Sequence, residues 1–442
     1  MRLSSILYFV PIALFLTACE ATKTIDSIEQ KAFQNTQFKN IKIYEASVGL
    51  GPCEPSIYIN PKNTDNIVIG SVINYYHFSF DRGLSWETRR LGSSLGIWGD
   101  PCIVADKEGT FYYLHLSDPD GTQWQSDKIL DRIVIQRSED GGKTWDDGTG
   151  IGYNPPKQQD KEWAAVHPIT GELYVTWTEF DKYSSNNPED KSRILFSQSK
   201  DKGATWSTAI AINEFEGNSK DNDLTVEGAT PAVSTNGNIY VAWAYDDKIY
   251  FDRSTDNGKT WLEKDIVIAT QPGGWAQRIP GFGRINGMPV TCVDNGNSKY
   301  AGTVYVNWTD QRNGSDNTDV FISSSQDEGK TWTAPVKVNT DNSLTHQFLT
   351  WISVDPSSGY LYVIYYDRSA YKDTQTDVRL AVSYDGGKNF VSKVISEKPF
   401  IPNSKIFFGD YNNIQAVNGI VRPVWTRIDN YKLSIWTAII DF

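Results

Sequence analysis

The sequence predicts an all-β chain folded as a β-propeller, a ring of four-stranded antiparallel blades, with seven blades favoured and six as the alternative. Three observations predict it. The stretch SEDGGKTW at 138–145 recurs, slightly altered, as SFDRGLSW at 79–86, SKDKGATW at 199–206, STDNGKTW at 254–261, SQDEGKTW at 325–332 and SYDGGKNF at 383–390. The copies start 55 to 71 residues apart, too long for a helical repeat and suited to one antiparallel sheet per repeat. Aromatic residues make up 13 % of the 442 residues, with 15 Trp among them, and supply wide apolar faces for sheet-on-sheet packing.

The chain opens on a targeting segment. Arg2 precedes an apolar run from Ile6 to Leu16, too short to span a bilayer well. The run ends in Leu16-Thr17-Ala18-Cys19, which resembles a bacterial lipobox. That resemblance implies a signal peptide over 1–18, lipidation of Cys19 and anchorage in the bacterial cell envelope, facing the periplasm or the cell surface. An ordinary cleaved signal and a membrane anchor are the alternatives. Residues 19–38 read as a tether, because they are polar and lack clear periodicity. The propeller then occupies 39–442.

Each repeated stretch sits between two strand-like runs and so forms a hairpin, as with Asp131 to Arg137 before Ser138 and Lys248 to Arg253 before Ser254. Its Gly supplies a positive φ, its Asp accepts hydrogen bonds from the turn's own amides, and its aromatic packs on the sheet. These residues are structural, and their aspartates are not catalytic candidates. Two further strands precede each hairpin, for example Trp351 to Val354 and Tyr360 to Tyr365 in the sixth repeat. After the last hairpin come Asn412 to Val417, Ile420 to Arg427 and Lys432 to Ile440, three strands without the repeat. One orphan strand, Asn40 to Val48, stands ahead of the first repeat. Together they make a seventh blade that joins the chain's ends and removes the open edges.

Net charge of −12 excludes a nucleic-acid phosphate partner, which needs a basic footprint. Apart from Cys19, three cysteines remain, so at most one disulfide forms; Cys53 and Cys102 either bridge or stay buried as free thiols, with Cys292 left over. There is no CxxC spacing and the four His are scattered, so no zinc site is expected. A monomer without cofactor is expected. A structural Ca²⁺ held by Asp221, Asp223 and Glu227 is the alternative.

In such blades the repeated hairpins lie on one face, and chemistry belongs on the other, in the loops after each second strand and before each first strand. Before the first strands stand Glu54, Asp100, Asp160 with Glu162, Glu227, Arg278 with Arg284, His346 with Gln347, and Asp410 with Tyr411. After the second strands, blades five to seven offer Arg312, Arg368 and Arg427 at nearly one place, with Tyr366 beside Asp367. Arginines converging from adjacent blades bind a carboxylate or sulfate with bidentate geometry. The structural alternative is that these arginines pair with neighbouring aspartates and hold the blades together. The candidate catalytic set is Asp100, Glu162, Tyr366 and Asp410; the candidate substrate-binding set is Arg284, Arg312, Arg368 and Arg427.

The six-fold S-x-D-x-G-x-T-W set resembles the Asp-box, or BNR repeat, of the sialidase-like propellers. EPSIYINPKN (54–63), RINGMPVTCVD (284–294), IYYDRSA (364–370) and FFGDYNNI (407–414) look like bacterial secreted proteins labelled exo-sialidase-like or BNR-repeat glycosyl hydrolases. The resemblance implies glycosidase activity on terminal acidic sugars of glycans, with an arginine triad, an Asp acid/base and a Tyr/Glu nucleophile pair. The family's Arg-Ile-Pro lies near the N-terminus, whereas Arg278-Ile279-Pro280 follows the fourth Asp-box here, and sialidase domains usually have six blades. Two other readings stand beside it: a lyase on an anionic polysaccharide with Tyr366 or His346 as base, and a non-catalytic propeller that binds a glycan or a protein.

Overall fold

The computed structural model describes residues 29–46 and 50–442. Contacts divide the chain into two units, with Phe38–Asp441 forming the propeller. In the other unit, residues 29–35 are helical, within the stretch read as a tether. The signal peptide and Cys19 lie outside the described residues. Among the described residues no helix is long and apolar enough to cross a membrane.

Seven antiparallel sheets, each with four main strands, form the blades; in the first six these run in sequence order from the inner to the outer strand, and blade three adds a short fifth, Gly217–Asn218. The first strands are Ser56–Ile59, Cys102–Ala105, Gln158–Val166, Glu227–Val233, Val290–Val293, Gln347–Val354 and Asn413–Val417. The last blade takes Asn413–Val417, Ile420–Asp429 and Lys432–Asp441 from the C-terminal end and completes itself with Lys39–Glu45. The ring thus closes as the leftover strands required, with no open edge between first and last blades. Ile57, Ile59, Ile67 and Ile69 of blade one pack on Ile420, Val424 and Ile435 of blade seven across the closure. Elsewhere the second strands carry the core. Trp177, Trp243, Trp308 and Trp425 are fully buried, one per blade in blades three, four, five and seven. Burying such a side chain stabilises the fold by roughly 2–3 kcal/mol in transfer terms.

The Asp-boxes form the turns between third and fourth strands, each knit by the same bonds. In blade two the Gly142 amide donates to Ser138 Oγ at 2.9 Å, and Ser138 Oγ donates to Asp140 Oδ1 at 2.9 Å. Thr144 donates to Asp140 through its amide at 2.9 Å and through its hydroxyl at 2.6 Å. Gly142 has φ +88°, in the left-handed region where a Cβ is penalised. Cys53, Cys102 and Cys292 are free thiols, so the possible Cys53–Cys102 bridge is not made.

Candidate functional site

In an antiparallel meander the starts of the first strands lie on the face opposite the Asp-boxes. There the ring holds a cavity of about 270 Å³. Blades one, two, three and seven contribute Glu54, Asp100, Asp160 with Lys161, and Asp410, and the loop before blade five contributes Arg284. Trp98, Trp124, Tyr183, Leu50 and Phe407 form much of the remaining wall.

The backbone that presents these groups is irregular. The first strand of blade three slips register between Asp160 and Trp163, a bulge that breaks alternation and lets consecutive residues Asp160 and Lys161 line one cavity. Similar slips fall between Glu227 and Thr230 and between Phe348 and Trp351. Glu54, Asp100 and Lys161 hold φ of +52°, +51° and +56°. Leu130 in the same wall has φ +60°. A non-glycine residue there costs of order 1 kcal/mol, and four around one cavity mark a constrained site.

Asp410 is the hub. Its Oδ2 lies 2.9 Å from Lys161 Nζ and 2.9 Å from Arg284 Nη2, while its amide donates to Glu54 Oε1 at 2.8 Å. Arg284 also bonds Asp221 at 2.7 Å, and Tyr183 donates to the same Asp221 oxygen at 2.6 Å. Lys161 is 3.6 Å from Asp100 and 4.0 Å from Asp160. Burial works to raise the Asp410 carboxyl, but Arg284 and Lys161 outweigh it and hold it below the usual carboxylate range. Burial pushes Asp160 up to about 7, against the pull of Lys161. Glu54, Glu162 and Glu227 are pushed well above the carboxylate range, chiefly by burial. Burial also acts to lower Lys161, yet the three facing aspartates keep it well above its ordinary value. Asp410 Oδ1 is a buried acceptor with no hydrogen-bond partner among the described residues, and Asp100 Oδ2, 3.6 Å from Lys161 Nζ, accepts no hydrogen bond.

Of the residues singled out in the sequence, Glu54, Asp100, Asp160, Asp410 and Arg284 come together here. Glu162 is buried beside them with neither carboxylate oxygen bonded, although it is not part of the cavity wall. The other arginines do not converge on the cavity. Arg312 forks onto Asp310 at 2.6 Å, donates to Thr270 O at 3.1 Å and lies 4.1 Å over the Phe321 ring. Arg427 binds Asp429 at 2.6 Å and sits over Trp436. Arg368 donates to Thr376 Oγ1 and Pro280 O between the rings of Phe282 and Phe348, and burial lowers it to about 10. Each guanidinium is satisfied inside or between blades, so the expected carboxylate clamp is not assembled from these three. Tyr366 is tied to blade seven: its hydroxyl donates to Thr426 O at 2.8 Å and accepts from the Thr426 amide at 3.0 Å. His346 is buried against Thr318. Arg278 is exposed and Ile279 buried, while Pro280 O receives Arg368.

Among the described residues no group of three or more His, Cys, Asp or Glu is arranged to hold a metal ion. Asp221 serves Arg284 and Tyr183, and Asp223 accepts the Ala276 amide at 2.7 Å, so the two are not turned to a shared Ca²⁺. Sequence reading missed Lys161, Tyr183, Trp98 and Trp124. The signal for Lys161 was in QQDKEWAAV (158–166), where three consecutive charges interrupt an otherwise regular inner strand.

No protein-family model matches the chain, and no curated protein matches it. Among solved structures it is similar to a PL25 ulvan lyase bound to -[GlcA(1-4)Rha3S]-, with TM-score 0.55 and 13 % identity over 91 % of this chain and 96 % of that one. It is similar also to the NanB sialidase from Streptococcus pneumoniae, with TM-score 0.50 and 9 % identity over 85 % of this chain and 83 % of that one. At such identity the likeness is one of fold: the chain is a seven-bladed β-propeller.

Proposed function

We propose that the protein is a glycan-acting enzyme, a glycosidase, working in the cavity around Asp410 and held at the bacterial envelope through Cys19. One observation carries the reading. Asp160 and Asp410 both neighbour Lys161, yet their environments push them in opposite directions, Asp160 up to about 7 and Asp410 below the carboxylate range. Carboxyl groups split in this way divide the work of glycoside cleavage. Asp160, protonated in part at neutral pH, is the general acid that gives its proton to the leaving glycosidic oxygen. Asp410 stays ionised. Its Oδ2 is held by Lys161 and Arg284, and its unpartnered Oδ1 serves as base or nucleophile at the sugar carbon. The fold shared with a sialidase and a polysaccharide lyase supports a glycan as the ligand.

A lyase on a uronate polymer is the second reading, favoured by Tyr183 in the cavity wall and by the ulvan lyase likeness. It needs a cation for the uronate carboxylate, and both candidates, Lys161 and Arg284, already face aspartates. The test is turnover on a panel of glycosides and polysaccharides with Asp160→Asn and Asp410→Asn alongside. A new reducing end with no unsaturated sugar at the other cleaved end, lost in both variants, supports the glycosidase. An unsaturated sugar at the cleaved end moves the assignment to the lyase. A folded protein that binds glycan without turnover on any of them leaves a non-catalytic binding propeller.

A further inference from the structure

The sugar this cavity accepts is set by which polar atoms remain unsatisfied, and the inference rests on the glycan reading above. Three aspartates, Asp100, Asp160 and Asp410, look onto one ammonium, Lys161. The guanidinium, Arg284, is spent on Asp221 and Asp410. The buried atoms left without a hydrogen bond are acceptors, Asp410 Oδ1 and, 3.6 Å from Lys161 Nζ, Asp100 Oδ2, and Asp410 is only 2 % exposed. A buried acceptor without a partner is costly, and a ligand that donates hydrogen bonds to it removes that cost. Sugar hydroxyls donate. A ligand carboxylate or sulfate brings only acceptors and a like charge to these aspartates.

A second, independent feature lies at the rim. Trp124 belongs to the loop between the second and third strands of blade two and is 54 % exposed although it lines the cavity. It is not a stray apolar residue. Its ring stacks on Tyr183 at 5.3 Å and meets Trp98 edge-on at 6.1 Å, so it is held in place with much of its surface open. Tyr183 is itself fixed by its bond to Asp221. An anchored indole of this kind offers a flat apolar platform to the C–H face of a pyranose ring, at little cost in side-chain entropy.

We infer that the cavity takes an uncharged, hydroxyl-rich sugar, lying against Trp124 and donating to Asp100 and Asp410, and that it discriminates against acidic sugars. This replaces the acidic-sugar expectation drawn from the sequence resemblance.

The test measures binding by calorimetry and by Trp fluorescence. The probes are neutral oligosaccharides ending in galactose, glucose, mannose or rhamnose, against oligosaccharides ending in sialic acid or glucuronic acid. At least one neutral series is expected to bind tenfold or more tighter than every acidic one. Trp124→Ala is expected to weaken that ligand at least tenfold, and Trp124→Phe to recover most of the loss. Acidic ligands that bind as tightly as neutral ones overturn the inference and leave the glycan reading standing. Neutral binding indifferent to Trp124→Ala overturns the platform. A folded protein that binds none of these sugars overturns the glycan reading itself.

Discussion

At the Asp-box turns each aspartate is saturated by its own neighbours; at the opposite face Asp100, Asp160 and Asp410 crowd a cavity with acceptors to spare. The first arrangement recurs six times along the chain, and the second occurs where the ring's regularity breaks, at bulges and at left-handed Glu54, Asp100 and Lys161. The difference shows in protonation. Backbone and side-chain bonds from Thr260 hold Asp256 of an Asp-box to about 2, whereas burial lifts Asp160 to about 7. Repetition builds the scaffold, and departures from it mark the site.

The sharpest way to break this contrast is Asp410→Asn. It leaves Lys161 and Arg284 without their shared counter-charge, at a cost of about 3–5 kcal/mol in denaturant unfolding. Glycan turnover should fall about 10²–10⁴-fold. Next comes Arg312→Ala, which strands the fully buried Asp310 and should cost about 3 kcal/mol. Here the folded fraction should keep wild-type turnover, because Arg312 serves blade five and not the cavity. Loss of turnover in this variant without loss of stability would restore Arg312 to the site.

The two regions should also respond oppositely to pH. Asp160 has a folded pKa above its unfolded value, so its stabilising share is full below about pH 4 and fades as pH rises through about 7. Asp256 has a folded pKa below its unfolded value, so its share is present above about pH 4 and is lost as pH falls through about 2. Asp160→Asn should flatten the neutral limb of a stability–pH curve, and Asp256→Asn the acid limb. In wild type, turnover should decline above about pH 7 as the Asp160 acid loses its proton. The smallest effect is expected from Asp140→Ala, about 1 kcal/mol in thermal or denaturant unfolding with turnover intact, since its bonds close only one exposed turn.

Much of this was legible in the sequence, for a physical reason. An Asp-box needs Ser, Asp, Gly and an aromatic at fixed offsets, so the turn writes itself into the chain six times and the leftover strands count the seventh blade. The gathering of Glu54, Asp100, Asp160, Arg284 and Asp410 on one face was legible too, because strand order alone puts them there. What could not be read was which charges satisfy one another. Arg312 and Arg427 each have an aspartate two residues away, and a local pair closes before any ligand is needed. Arg368 is taken up by rings, the Thr376 hydroxyl and the Pro280 carbonyl. Lys161, between two acids, looks like a solvated charge until the bulge turns it inward. Tyr183 and Trp124 come from loops of different blades with no repeat to flag them, and only folding sets one ring on the other.

The central claim is that the non-repeated carboxylates around Asp410 perform chemistry while the arginines after the second strands hold the ring. The most direct test is to assay glycan cleavage for wild type, Asp410→Asn and Arg312→Ala, with folding of each confirmed by circular dichroism. Cleavage by wild type and Arg312→Ala, and silence from a folded Asp410→Asn, is the result expected. Cleavage that survives in Asp410→Asn, or that vanishes in a folded Arg312→Ala, would contradict it.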